Sequence, residues 1–445
     1  MKRLFFAFIL TAVCTLTACG KTVSTDSDIV PKAETTESAI MTEYQETTTQ
    51  SGTTATINTT TVIETTVSTT TTTIAIADKK IPDEVYFENI DTVEVYDEIP
   101  LSEFITDTNV TLLEPDKKIG TKKIGHKGVK VKFEYNGEEY EGKLGYDVVD
   151  TTNPVILNMG WNPYVKLDQP FNLSSIVGYV DNYDRAPVLT YTGEVDTSNI
   201  GTYDITATVT DQSGNSTSWD MTVLVLSEIP APEDNNPRVN FQDFMDYYCY
   251  ENVSYGIDVS AWQTNVDYEK VKEQGCDFVI MRMGYYYGEI VMDDYYQQNM
   301  ENATAAGLDV GVYFYTTANT EDEARDQARW IVEQLDGREL DYPVAFDWEE
   351  WGQFQQYGMN VRDLNEIFEA FCDELEKNGY TGMLYSSKNF LNNVWNDHSK
   401  SISPVWLAHY VEDTDYDGEY TFWQQSSCGR IPGIYGDIDM NIMYE

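Results

Sequence analysis

In the C-terminal half of the chain, short apolar runs alternate with longer amphipathic stretches that stop at glycine. The runs are YGIDVS, FVIMRMG, DVGVYFYT, PVAFDWE, GMLYSS, VWLAHY, TFWQQS and IDMNIMY. Between the earlier ones lie VDYEKVKEQG, DDYYQQNMENATAAG, TEDEARDQARWIVEQLDG and NVRDLNEIFEAFCDELEKNG, each read as a helix closed by Gly275, Gly307, Gly337 or Gly379. Thr320 and Glu323 open the third with a capping box. This βα alternation predicts an α/β, TIM-like parallel barrel over 251–445, the class in which polar residues at strand C-terminal ends form the active site. Upstream the period changes to two. VKVKFEY, YDITATVT and MTVLVL, separated by polar turn clusters, predict antiparallel strands in one or two small β-sandwich modules, at 81–152 and 153–228, dividing near Val148–Pro154. The proline-bearing stretch EIPAPEDNNPRVN marks a linker, assigned to 229–250. From Lys21 to Ala77 threonine dominates with no sustained period, which predicts a disordered tether over 20–80.

Composition narrows the chemistry. A length of 445 residues implies several domains, and a net charge of −47 rules against nucleic acid as a partner, since little basic surface exists to replace phosphate counterions. With three histidines and neither His-x-x-x-His nor Cys-x-x-Cys spacing, a zinc site or Ser-His-Asp triad has little to be built from. Carboxylates remain. At the N-terminus, Lys2 and Arg3 precede an apolar run too short for an ordinary spanning helix, so 1–19 reads as an export signal. Its end, Leu16-Thr17-Ala18-Cys19, resembles the bacterial lipobox, which implies acylation of Cys19 and anchorage on the outer face of the membrane, reaching into the cell wall. Cys249, Cys276, Cys372 and Cys428 are expected either as two disulfides of unassigned pairing or as buried free thiols.

The polar residues at the predicted strand ends are Asp258, Arg282, Tyr313, Tyr315, Asp347, Glu349, Tyr385, Trp406, Tyr410, Gln424 and Asp439. Acids, an arginine and rings suit a sugar site, because apolar sugar faces stack on aromatic rings while hydroxyls need acceptors. Most tryptophans of this half, Trp262 among them, read as packing. Asp347 and Glu349 are two apart on a strand, which puts both on one face with roots about 6.5–7 Å apart. Glycoside cleavage needs one protonated acid and one anion, and neighbouring carboxylates push their pKa values apart. Glu349 is the expected acid, then base; the root spacing does not separate inversion from retention. Glu350 follows directly, and a bulge would swap it into the site. Asp258 is expected to bind and polarise substrate, or else to cap the next loop. Arg282 is expected on substrate or holding the carboxylates. The rings, Gln424 and Asp439 line the substrate groove or pack the rim.

GYVDNYD, YTGEVDTSNIGTYDITATVTDQSGN and the closing TVLVL resemble bacterial immunoglobulin-like surface modules, expected to act as spacers or to bind wall glycan. EVYDEIPLSEFI with GVKVKFEYNGEEY is a weaker resemblance to the same group. GIDVSAWQTNVDYEKVKEQGCDFVIMRMGY, GVYFYT, FDWE, LYSS, WLAHY and WQQSSCGRIPGIYGDIDMN resemble, in order, the motifs of the glycoside hydrolase family 25 lysozymes. The resemblance implies an irregular barrel that cleaves the β-1,4 bond after N-acetylmuramic acid with retention and without metal or cofactor. The substrate's N-acetyl group would then be the nucleophile and Asp347 its support. The implied partner is the peptidoglycan glycan strand, met by a monomer. Trp348 stands where relatives often carry an aliphatic residue, but it points away from the site. The competing readings are a wall-binding protein on a dead glycosidase scaffold and a chitin-type glycosidase.

Overall fold

The computed structural model describes residues 79–231 and 237–445, apart from Trp161 and Trp351. The export signal, its Cys19 and nearly all of the threonine-rich stretch fall outside the described residues. No helix among the described residues is long and apolar enough to cross a membrane.

The first β region is built on a hairpin, Gly125–Tyr135 against Glu138–Val149. Asn136 and Gly137 turn it, both at positive φ (53° and 80°), the conformation a tight two-residue hairpin turn requires. Val129, Val131 and Phe133 point into a core while the lysines between them face water, as a period of two dictates. Thr92–Glu94 and Thr111–Leu112 complete a four-stranded sheet, and Phe87–Asn89 pairs with Ile105–Thr108 as a separate ribbon. The second region repeats the plan. Val188–Gly193, Gly201–Thr210, Ser216–Leu226 and Tyr164–Lys166 form one sheet, and Val155–Ile156 pairs with Tyr179–Val180. Its core alternates Ile205, Ala207 and Val209 against Met221, Val223 and Val225.

The C-terminal region is a closed eight-stranded barrel. Its strands are β1 (Val253–Val259), β2 (Phe278–Tyr286), β3 (Asp309–Thr316), β4 (Val344–Asp347), β5 (Gly382–Ser387), β6 (Val405–Ala408), β7 (Phe422–Arg430) and β8 (Ile438–Tyr444). Strands β1 to β7 run parallel, each beside the next. β8 differs from the expected parallel alternation: it closes the ring antiparallel to both β7 and β1. The cause is chain length. Only residues 431–437 separate β7 from β8, and a parallel crossover needs roughly a dozen or more.

Helices α1 (Phe241–Tyr247), α2 (Tyr268–Glu273), α3 (Tyr296–Ala306), α4 (Glu321–Leu335) and α5 (Val361–Glu376) accompany the barrel. Leu364, Ile367, Phe368, Phe371 and Leu375 give α5 an apolar stripe at helical spacing that joins the barrel's outer core. α1 lies inside the stretch expected to be a linker; Phe241 and Phe244, both 1% exposed, pack into that same core. The capping box expected at α4 is half formed. Thr320 accepts from the Glu323 amide at 3.3 Å, but the Glu323 carboxylate takes the Asn319 N–H and the Tyr286 hydroxyl instead. Among the described residues no disulfide forms: Cys249, Cys276, Cys372 and Cys428 are free thiols, with Cys276 and Cys372 buried, Cys428 partly buried and Cys249 exposed.

The barrel has two cores. One fills the space between strands and helices and includes Trp348, whose indole donates to the Ala318 carbonyl at 3.0 Å. The other contains Phe278, Ile280, Ala345, Met383, Tyr385, Trp406 and Phe422, the inward residues of the strands, and carries the polar cluster described next.

Candidate active site

Strand alternation assembles the cluster. Asp258 pairs across β1 and β8 with Asp439, Asp347 across β4 and β5 with Tyr385, and Gln424 across β7 and β8 with Asn441. β4 ends at Asp347, so Glu349 stands just past the strand. Asp347 is buried, while Glu349 is open to solvent yet crowded by protein, as a group at the floor of a cleft is. Tyr410, 51% exposed, shares that combination.

A hydrogen-bonded chain runs beneath the acids. Tyr385 and Tyr410 donate their hydroxyls to Gln424 Oε1 at 2.9 and 2.8 Å. Gln424 Nε2 and Asn441 Nδ2 each donate to Asp258 Oδ2 at 2.8 Å. Trp406 Nε1 donates to Asn441 Oδ1 at 2.8 Å. These bonds fix the amide orientations and favour the ionised form of Asp258. Burial raises Asp258 nonetheless, and Asp439, raised further by burial and by Asp258, holds the proton between them. Asp258 is the anion of the two because it accepts from every neighbour.

The Asp347 and Glu349 pair has a different environment. Desolvation by the protein crowded around it, then Glu350 and Asp258, push Glu349 up to about 7. Burial, Glu349 and Asp258 raise Asp347 well above the usual carboxylate range, with Arg282 opposing. Asp347 Oδ1 is buried with no hydrogen-bond partner among the described residues. A buried acceptor without a donor is costly unless something else fills it.

Arg282 is clamped rather than free. Its Nε and Nη2 meet Asp293 Oδ2 at 2.7 Å, and Asp293 also accepts the Ala261 and Tyr295 amides. Tyr315 donates to Glu350 Oε1 at 2.9 Å, which keeps Glu350 engaged beside the pair rather than exchanged for Glu349. Trp406, 2% exposed and packed edge-on against Tyr385 with centroids 4.8 Å apart, has no free face for a sugar. Tyr385 is likewise buried, and Tyr313 half-buried above Trp406.

Sequence reasoning missed three parts of this arrangement. Asn441 lies two residues after Asp439 on β8, so the period of two already marked it as inward. Asp293 follows no period, and nothing in the sequence pointed to it. Trp262, read as packing, is 74% exposed on a single turn, Ala261–Gln263, held by a capping box from Ser260 and Gln263. With Tyr287 at 60% exposure and Tyr410 it supplies the open rings.

Residues 257–434 match the family described as Glycosyl hydrolases family 25, and residues 157–225 match Bacterial surface protein, Ig-like domain. The chain is 27% identical over 226 residues to "Uncharacterized protein YegX" of Escherichia coli (strain K12), covering 46% of this chain and 79% of that one. It is 29% identical over 189 residues to the autolytic lysozyme of Clostridium acetobutylicum, covering 42% of this chain and 54%, about half, of the relative. Among solved structures, the modular autolysin LytC from Streptococcus pneumoniae, in complex with a synthetic peptidoglycan ligand, is 21% identical with a TM-score of 0.39, over 54% of this chain and 56% of that one.

Proposed function

We propose, from the premise that residues 257–434 are a domain of the glycosyl hydrolases family 25 behind an immunoglobulin-like module, that this chain is a lysozyme. It cleaves the β-1,4 bond between N-acetylmuramic acid and N-acetylglucosamine in peptidoglycan, on an irregular TIM-like barrel. The observation that carries the mechanism is the unfilled Asp347 Oδ1 beside a Glu349 carboxyl pushed up to about 7.

An acetamido N–H on the bound sugar donates to the Asp347 carboxylate at its exposed edge, the residue being 7% exposed. That hydrogen bond favours the ionised form of Asp347 and leaves the proton on Glu349. The oriented acetamido oxygen attacks the anomeric carbon as Glu349 protonates the departing glycosidic oxygen. Water then opens the cyclic intermediate from the vacated side, giving its proton to Glu349, so configuration is retained. Asp258, tied to Asp439, Gln424 and Asn441, adds negative potential where positive charge develops on the ring. Arg282 acts by offsetting the charge of Asp347. Trp262, Tyr287 and Tyr410 offer faces on which successive sugars stack, and Tyr313, Tyr315, Tyr385 and Trp406 shape the floor.

The Leu16–Cys19 motif supports a lipid anchor on the outer face of the membrane, with the β regions as spacers and a monomer as the working unit. Clearing of purified peptidoglycan by the wild-type chain tests the reading. Glu349→Gln is expected to slow it about 10²–10⁴-fold, the contribution of a positioned general acid. Equal clearing by both proteins removes Glu349 from the mechanism.

A further inference from the structure

Away from the barrel mouth, Asp150, Asp181 and Asp211 bring one carboxylate oxygen each to within 4.8 Å of one another. They are 6%, 0% and 7% exposed. Each directly follows a strand: Asp150 the last of the first β region, Asp181 and Asp211 two of the second. No lysine or arginine pairs with any of them among the described residues, and Asp150 and Asp211 both act on Asp181 with charge of its own sign.

Asp150 accepts from the Ser213 hydroxyl and the Thr152 amide, and Asp211 from the amide and side chain of Asn215, so the hydrogen bonding is incomplete at Asp181 and its neighbour. Asp181 Oδ1 accepts the Tyr183 and Asp184 amides at 2.9 and 2.6 Å, but Asp181 Oδ2 is buried with no partner. Asn182 Oδ1, on the next residue, is also buried and unpartnered. The neighbouring Asp184, 3% exposed, is the contrast. It accepts the Ala186 amide and both the amide and side chain of Gln212. The fold therefore satisfies Asp184 with its own donors and leaves one oxygen each of Asp181 and Asn182 empty. Buried carboxylates without donors or cations are costly, and a metal ion with oxygen ligands relieves that cost.

We propose that Asp150, Asp181 and Asp211 form a binding site for a divalent cation of the calcium type. The donor set is all oxygen, three carboxylates. Its spacing fits within the roughly 4.6–5.2 Å that separates oxygens on opposite sides of Ca2+ at 2.3–2.6 Å. Mg2+ demands a tighter octahedron and keeps its water. The loop that carries Asp181 also holds the barrel. The Asp181 carbonyl accepts the Val361 amide at 2.9 Å, the Tyr183 carbonyl accepts Asn360 Nδ2 at 2.8 Å, and Arg185 forks onto Asp363 at 2.7 and 2.6 Å. A bound ion thus fastens both β regions to one another and stiffens the loop that meets α5.

The test uses the full chain stripped with EGTA and titrated calorimetrically with CaCl2 and, separately, MgCl2, followed by thermal unfolding. One equivalent of Ca2+ is expected to bind, and saturation is expected to raise the transition by at least about 2 °C. Asp211→Asn and Asp181→Asn are expected to lose both effects, and the wild-type titration stands alone if a variant fails to fold. Absence of Ca2+ binding to the wild type overturns the proposal, as does binding of Mg2+ alone. Undiminished Ca2+ binding in both variants places the ion elsewhere. Stabilisation on lowering pH through about 6, with no metal bound, assigns the cluster to a trapped proton.

Discussion

Glu349 and Asp347 are two residues apart, yet one is open to solvent and the other largely buried with an unfilled oxygen. That asymmetry sets the pH dependence. In the proposed mechanism the acid form of Glu349 is the active one, so hydrolysis is expected to fall as pH rises through about 7. Glu350 is the first charge after burial to raise that value, so Glu350→Gln is expected to shift the alkaline limb of the kcat/KM profile to lower pH. An unmoved limb would separate the limb from Glu349. At Asp347 activity and stability are opposed. Its folded pKa is raised, so the stability it contributes is complete below an unfolded value of about 3.9 and is lost as pH rises through the folded value. Asp347→Asn escapes that loss. It is expected to gain about 0.5–2 kcal/mol in urea denaturation at neutral pH, with the gain vanishing in acid. Its turnover should drop about 10²–10³-fold. The carboxylates were legible from their spacing, whereas Asp293 was not, because its partner Arg282 and its amide donors meet it only through the fold. Asp293→Ala strands a largely buried guanidinium and is expected to cost about 3–5 kcal/mol, read from the same denaturation curves.

Each element shows how far a period can be trusted. α5 and the hairpin of the first β region follow directly from periods of 3.6 and two, because burial there is one-sided. β8 carries the alternation of a strand, but alternation is blind to direction; the short connection from β7 was the available signal. α1 was hidden by its neighbours. The proline-rich segment before it suggested a linker, although Phe241, Phe244 and Tyr248 already stood at helical spacing. Since Phe244 is 1% exposed, Phe244→Ala is expected to destabilise the barrel by about 3–5 kcal/mol, seen as a lowered urea midpoint. A change within about 0.5 kcal/mol would return α1 to the status of a linker.

At the scale of the chain, the acidic balance that excluded nucleic acid also concentrates the chemistry. With few cations available, the four acids of the mouth meet a single clamped arginine, and protons must be shared among them. The division into β regions and barrel was visible in the change of period, and the matches at 157–225 and 257–434 fall within its two later parts. The joint between them was not visible, because Arg185 and Asp363 lie 178 residues apart. The central claim is that this cluster cuts the glycan on the reducing side of N-acetylmuramic acid. It is tested most directly by digesting purified peptidoglycan, reducing the new chain ends with borohydride and identifying the reduced sugar by mass spectrometry. Reduced N-acetylmuramic acid, produced by the wild type and all but absent with Glu349→Gln, is expected; reduced N-acetylglucosamine, or no new reducing ends, contradicts the account.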